Sequence, residues 1–359
     1  MTQSHSRRKF LQTTAVGSMA LASAVRTRAA TGQTFPSEGA IDCQSHMYPE
    51  VVLDYMETRT KPPLVYRRGD ERYTLVGQWH RRVRAKHIDV GAKLADMDRV
   101  GIATTALTIN DPGPETFGED GLKMARMAND FLGETAEAHP GRFIPLALLP
   151  LQDMDASLKE LDRCVNQLGA RGILLYSNLN GLFPDEPQFR PLFARAEEMG
   201  LPLFLHPADP VTYDVTEGRN LVAGLGLMFD TTIALARMIL AGMFEQHPKL
   251  KVVCPHVGGT LPYLIGRLDH QTMVLKRGAE NIKKAPSEYL KQVYLDVVTP
   301  LPLAIKFAYD MVGPDMLLYG SDHPWVDPLL IMDSVKSLGL PAEDEQKIFR
   351  GNAVKLFGL

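Results

Sequence analysis

Eight short apolar runs, helix-like segments between most of them, and polar side chains at the carboxyl ends of four runs predict an α/β protein. The expected architecture is a (β/α)8 TIM barrel with an insertion after its first strand. The runs are Ala40–Met47, Ile102–Ile109, Phe143–Pro150, Gly172–Ser177, Leu201–Pro207, Lys251–Val257, Val293–Thr299 and Met316–Asp322. Helical periodicity fills Ala92–Val100, Asp120–His139, Ala156–Leu168, Phe189–Met199 and Thr231–Gln246. A doubly wound open sheet is the alternative. It usually carries a glycine-rich phosphate loop, and no G-x-G-x-x-G follows the first run.

The chain opens differently from its remainder. Ser6-Arg7-Arg8-Lys9-Phe10-Leu11 is a twin-arginine pattern, an Ala/Ser/Thr-rich stretch continues to Val25, and small residues follow at Thr27 and Ala29. Residues 1–30 therefore read as an export signal that uses the twin-arginine machinery, and the expected location is the periplasm. The segment holds five basic residues and no acid, so its removal takes the formal charge from −3 to −8. An acidic mature chain gives no electrostatic support to nucleic-acid binding. The sequence is 45% hydrophobic and 23% charged, which is globular composition, and no membrane association is expected.

Three cysteines, Cys43, Cys164 and Cys254, form no C-x-x-C and no even set. They read as small buried hydrophobes rather than as a disulfide framework. Histidines 139 and 247 each precede a proline at the end of a helical segment, where imidazole complements the helix dipole and proline stops the helix. Residues 40–359 are then one barrel domain. Within it, 48–88 is long for a first connection and rich in Arg, Tyr and Pro, and is expected to cover the barrel mouth.

The chemistry sits at the strand ends. The first run ends in Gln44 and His46, two residues apart and so on one face of a strand. His206 closes the fifth run, His256 leads from the sixth into Gly258-Gly259, and Asp322 closes the eighth. A lone histidine on an apolar strand is ordinarily a core residue. Imidazoles at several strand ends together with one carboxylate instead suit a divalent transition metal with open positions for substrate.

These residues carry a family resemblance. Ile41-Asp42-Cys43-Gln44-Ser45-His46-Met47-Tyr48-Pro49, Leu205-His206-Pro207, His256 through Pro262, and Gly320-Ser321-Asp322-His323-Pro324 occur in order. Together the set resembles the amidohydrolase superfamily, specifically its aminocarboxymuconate-semialdehyde decarboxylase branch. The resemblance implies that His46, His206 and Asp322 hold a metal, zinc ahead of manganese, and that His256 is the neighbouring acid/base. It also implies a dimer. Gln44 departs from the pattern, which has histidine there, or glutamate in some decarboxylases. Its amide oxygen is an uncharged ligand, or else it only hydrogen-bonds a bound water.

The expected activity is non-oxidative decarboxylation of a small carboxylate-bearing compound, with His256 and Asp322 as the catalytic pair. A metal-dependent hydrolase of a lactone or amide uses the same residues. A barrel that has lost its metal and only binds a ligand is the third reading. Arg81, Arg82 or Arg84 of the insertion could clamp an acidic substrate, but arginines on an exposed loop are usually solvated.

Overall fold

The computed structural model describes residues 34–359, so the export signal expected over 1–30 lies outside the described residues. Eight parallel strands appear where the apolar runs place them: β1 (Ala40–Met47), β5 (Ile102–Ile109), β6 (Phe143–Pro145), β7 (Ile173–Tyr176), β8 (Leu203–His206), β9 (Val252–Cys254), β10 (Tyr294–Asp296) and β11 (Leu317–Leu318). They pair as β1-β5-β6 and as β11-β10-β9-β8-β7. A parallel bridge from Ala147 to Ile173 joins the two sets on one side, and one from Ser45 to His323 joins them on the other. The N–H of Cys43 donates to the Tyr319 carbonyl at 2.8 Å on that second seam. The barrel is closed.

Helices cover its outside. Those at Val90–Val100 and Met154–Leu168 start where the carboxylates of Asp89 and Asp153 accept the N–H of Ala92 and Ala156, satisfying donors that the first turn leaves free. The helix expected over Thr231–Gln246 is instead Leu227–Leu240 followed by a short turn at Met243–Gln246. Gly242 separates them at φ 74°, a conformation that ends a helix. With the turn before it, Val222–Leu240 is long and apolar enough to cross a membrane by length and composition. Asp230 and Arg237 interrupt that run in the sequence. Asp230 is fully buried, where its carboxylate accepts from Ser177, Asn178 and the Val211 N–H.

Apolar residues inside the barrel, among them Ile41, Cys43, Ile144, Phe204, Val253 and Leu318, form a cluster that the C-terminal helix Asn352–Phe357 closes from below. Phe357 stacks on Phe204 with ring centroids 5.5 Å apart. All three cysteines are buried and free. The opposite end of the barrel is left for the site.

The insertion has structure that the sequence analysis did not foresee. After a helix at Glu50–Glu57, β2 (Leu64–Arg68), β3 (Glu71–Val76) and β4 (Trp79–Arg82) form an antiparallel sheet. Two-residue turns containing Gly69 and Gly77 connect the strands. Alternating L-V-Y-R-R and E-R-Y-T-L-V around Gly-Asp and Gly-Gln was the available signal.

Candidate metal centre

The carboxyl ends of β1, β8 and β11 converge. In β1 the register slips between Asp42 and Ser45, a bulge that relaxes strict alternation. Cys43 thereby joins the apolar interior, while Gln44 and His46 border a small cavity together with His206 and Asp296. His46 is fully buried, and its Nε2 lies 3.2 Å from Asp322 Oδ1 and 3.2 Å from His206 Nε2. His206 Nδ1 meets the Pro207 carbonyl at 2.8 Å. A proton on Nδ1 makes that bond and leaves the Nε2 lone pair facing His46.

Among the described residues, His46, His206 and Asp322 are the one group of three such side chains whose ligand atoms all lie within 4.8 Å of one another. Burial, then the His46 ring, hold His206 well below the ordinary histidine value, so its imidazole is neutral. Burial raises the Asp322 carboxyl, but hydrogen bonds from His256 and His46 outweigh it and keep Asp322 ionised. Two imidazoles and one carboxylate are a donor set for a divalent ion. A further buried amide fits the same purpose. Gln44 is 6% exposed, and neither its oxygen nor its nitrogen has a hydrogen-bond partner, a costly arrangement unless something else binds there.

His256 stands beside this group. It follows β9 at φ 54°, its N–H donates to Asp296 Oδ1 at 2.7 Å, and its Nε2 lies 3.8 Å from Asp322 Oδ2. Burial lowers its pKa, and the Asp322 carboxylate outweighs this and raises it. Asp296, at the end of β10, is fully buried, and burial pushes its carboxyl up to about 7.

Above the group lies a cavity of about 640 Å³, lined by His206, His256, Asp322, Arg81, Trp79 and Trp325 among others. Arg81 and Trp79 come from β4 of the insertion. The Arg81 guanidinium lies 4.3 Å over the Trp79 ring and 5.8 Å from that of Trp325, and pairs with Asp111, yet its Nε has no partner. Arg81 is thus a buried group of the cavity wall rather than a solvated one, whereas Arg82 is half exposed in a pair with Glu71.

A family profile described as Amidohydrolase matches residues 41–359. The chain belongs to the amidohydrolase family. Gamma-resorcylate decarboxylase of Rhizobium sp. is 30% identical over 79% of this chain and 91% of its own length. The 2-amino-3-carboxymuconate-6-semialdehyde decarboxylase of Dictyostelium discoideum is 29% identical over 79% of this chain and 80% of its own. The crystal structure of a 2,6-dihydroxybenzoate decarboxylase with 2,6-dihydroxybenzoate superposes with a TM-score of 0.75 at 28% identity, over 90% of this chain and all of that one. A dihydroxybenzoic acid decarboxylase from Polaromonas sp. JS666, crystallised with manganese and 2-nitroresorcinol, has a TM-score of 0.75 at 25% identity, over 90% and 97% of the two chains. Like these amidohydrolase relatives, the chain is an enzyme.

His46, His206, His256, Asp322 and Gln44, which the sequence singles out, all border these two cavities. The sequence does not single out Trp79, Asp296 or Lys93, and it leaves Arg81 outside the site. Lys93 is a fully buried lysine whose Nζ reaches Ser45 Oγ at 2.5 Å and His323 Nδ1 at 2.8 Å, the neighbours of His46 and Asp322. A lysine inside an amphipathic helix gives no sequence signal of such a contact.

Proposed function

We propose that the protein is a metal-dependent carboxy-lyase that removes CO2 from a small aromatic carboxylate bearing an ortho oxygen. The observation that carries this reading is one cavity shared by the His206–Asp322 group and a buried guanidinium with an unpartnered Nε. His46, His206 and Asp322 would hold the ion, and the Gln44 oxygen would be a weak further ligand. Such an ion would supply positive charge to bind and polarise the carboxylate and its neighbouring oxygen.

The residues around it do the remaining work. Arg81 fixes an anionic edge of the substrate, and Trp79 and Trp325 enclose the ring and exclude water, so that the insertion of 48–88 acts as a cover over the mouth. His256 Nε2 delivers a proton to the ring carbon that carries the carboxylate. The bond from that carbon to the carboxylate then breaks, its electron pair restores the aromatic ring, and neutral CO2 leaves. Asp322 steadies the imidazolium before the transfer.

Manganese and zinc are the candidate ions. The preference for zinc has no support among the relatives, and the oxygen donors of Asp322 and Gln44 suit manganese well. Incubation of the metal-loaded protein with 2,6-dihydroxybenzoate and related phenolic acids should release CO2. Lactone or amide turnover without CO2 release would favour the hydrolase instead.

Two further readings belong here. A second copy of the chain is a fitting cover for Leu221, Leu225, Phe229 and Ile233, which expose 37–44% of their surface along one helix stripe. Light scattering tests it. Export to the periplasm rests on Arg7 and Arg8, and fractionation of cells carrying lysine at both positions tests it.

A further inference from the structure

A second cavity, of about 310 Å³, lies beside the catalytic one and shares Asp111 with it. The loops after β5, β7 and β8 and the β3–β4 turn wall it, bringing in Asp111, Glu115, Asp209, Asn178 and Asn180. Among the described residues, no basic residue lines it. Its carboxyl groups are conspicuously under-used. Glu115 is 6% exposed and, among the described residues, its Oε2 has no hydrogen-bond partner; Asp209 Oδ1 is likewise buried and unpartnered. Asp111 already has its cation in Arg81. Two glycines make room for the other carboxyl groups. A Cβ on Gly77 would collide with the Asp209 carboxylate, and one on Gly113 with that of Glu115.

We propose that this cavity is a binding site for an organic ammonium group, held by Glu115 and Asp209. A buried carboxylate without a partner is costly, and a charge-assisted N–H donor removes that cost. Burial pushes Glu115 up to about 8 and Asp209 up to about 6; the Asp111 charge adds to each, and Arg81 partly offsets it at Asp209. An inorganic divalent ion fits less well, because among the described residues these carboxyl groups belong to no set of three metal-ligating side chains, and such an ion takes six or more oxygen ligands. An alkylammonium brings three donors on one charge and is satisfied by two carboxylates, and the volume suits a small amine.

The binding is read calorimetrically on the full, metal-loaded protein with n-butylammonium chloride, beside calcium chloride. No turnover is measured, so the outcome is independent of the decarboxylase reading. The expected result is saturable n-butylammonium binding that Glu115→Gln and Asp209→Asn each weaken tenfold or more, with calcium inert. Wild-type protein supplies a second measure that needs no variant. Below pH 8, binding should release a proton from Glu115, seen as a dependence of the heat on buffer ionisation. Absent saturation, binding indifferent to both substitutions, binding without proton release, or calcium binding lost in the same variants would each overturn the proposal.

Discussion

His46 and Asp322 face each other across the seam where the barrel closes. Nε2 and Oδ1 are 3.2 Å apart, the His46 N–H donates to the His323 carbonyl at 2.8 Å, and the Asp322 N–H donates to the Gln44 carbonyl at 2.9 Å. The last strand is thus clasped to the first on both sides of the two side chains. A cation between them would bind the first and last strands as well as itself. About one divalent ion per chain is expected, with loss of metal and a lower melting temperature in Asp322→Ala and His206→Ala. Elemental analysis of chelator-free protein checks it, and metal-free protein with full activity would refute it.

Gln44 should matter less than His46. Both its amide atoms lack partners, so it is free to turn its oxygen toward the ion, but it brings no charge. Gln44→Ala should weaken metal binding by about 10- to 100-fold, the scale of supporting partners, and His46→Ala by more. Gln44→His should tighten it. Equal losses from the two alanine substitutions in a metal titration would contradict the ranking.

What the sequence made legible divides along physical lines. Every barrel strand was visible because a buried parallel strand must be apolar, and His46, His206, His256 and Asp322 stood out as polar ends of such runs. Arg81 was not readable as a site residue. Its position depends on β4 bringing it to the cavity wall with Trp79 and near Trp325, and that sheet alternates polar and aromatic residues with no long apolar run. Lys93 and Asp296 gain meaning only from the neighbours that barrel closure gives them.

Lys93 predicts a pH dependence of stability. Burial pushes its ammonium down to about 7, against 10.5 for an ordinary lysine. Between those values the unfolded chain holds a proton that the folded one lacks. The contribution of this group to stability therefore rises as pH climbs from about 7 to 10.5, and below 7 the penalty is constant. Chemical denaturation across that range should show a shallower rise in Lys93→Met than in wild type. Equal slopes would refute the assignment.

Arg81 should act on substrate and leave the metal alone. Its Nε is unpartnered and its guanidinium is held by Asp111 and two indoles. A hydrogen bond to a charged group is worth about 1.5–3 kcal/mol, so Arg81→Met should raise KM for an aromatic carboxylate roughly 10- to 100-fold. Metal content should be unchanged. An unaltered KM would return Arg81 to a structural role.

His256 is the residue whose loss should separate chemistry from structure. Its backbone is anchored independently of its ring, because Asp296 takes the N–H at 2.7 Å and the Gly259 N–H donates to its carbonyl at 3.0 Å. The ring contributes a contact with Asp322 at 3.8 Å, and its Nδ1 has no partner. Removing the imidazole therefore costs the fold little, while it removes the group proposed to carry the proton. His256→Asn should keep the metal and the melting temperature and lower turnover by roughly a hundredfold or more, the usual scale for a lost acid/base. Proton delivery also predicts a solvent isotope effect on kcat in wild type. Lost stability with intact specific activity would make His256 a structural residue.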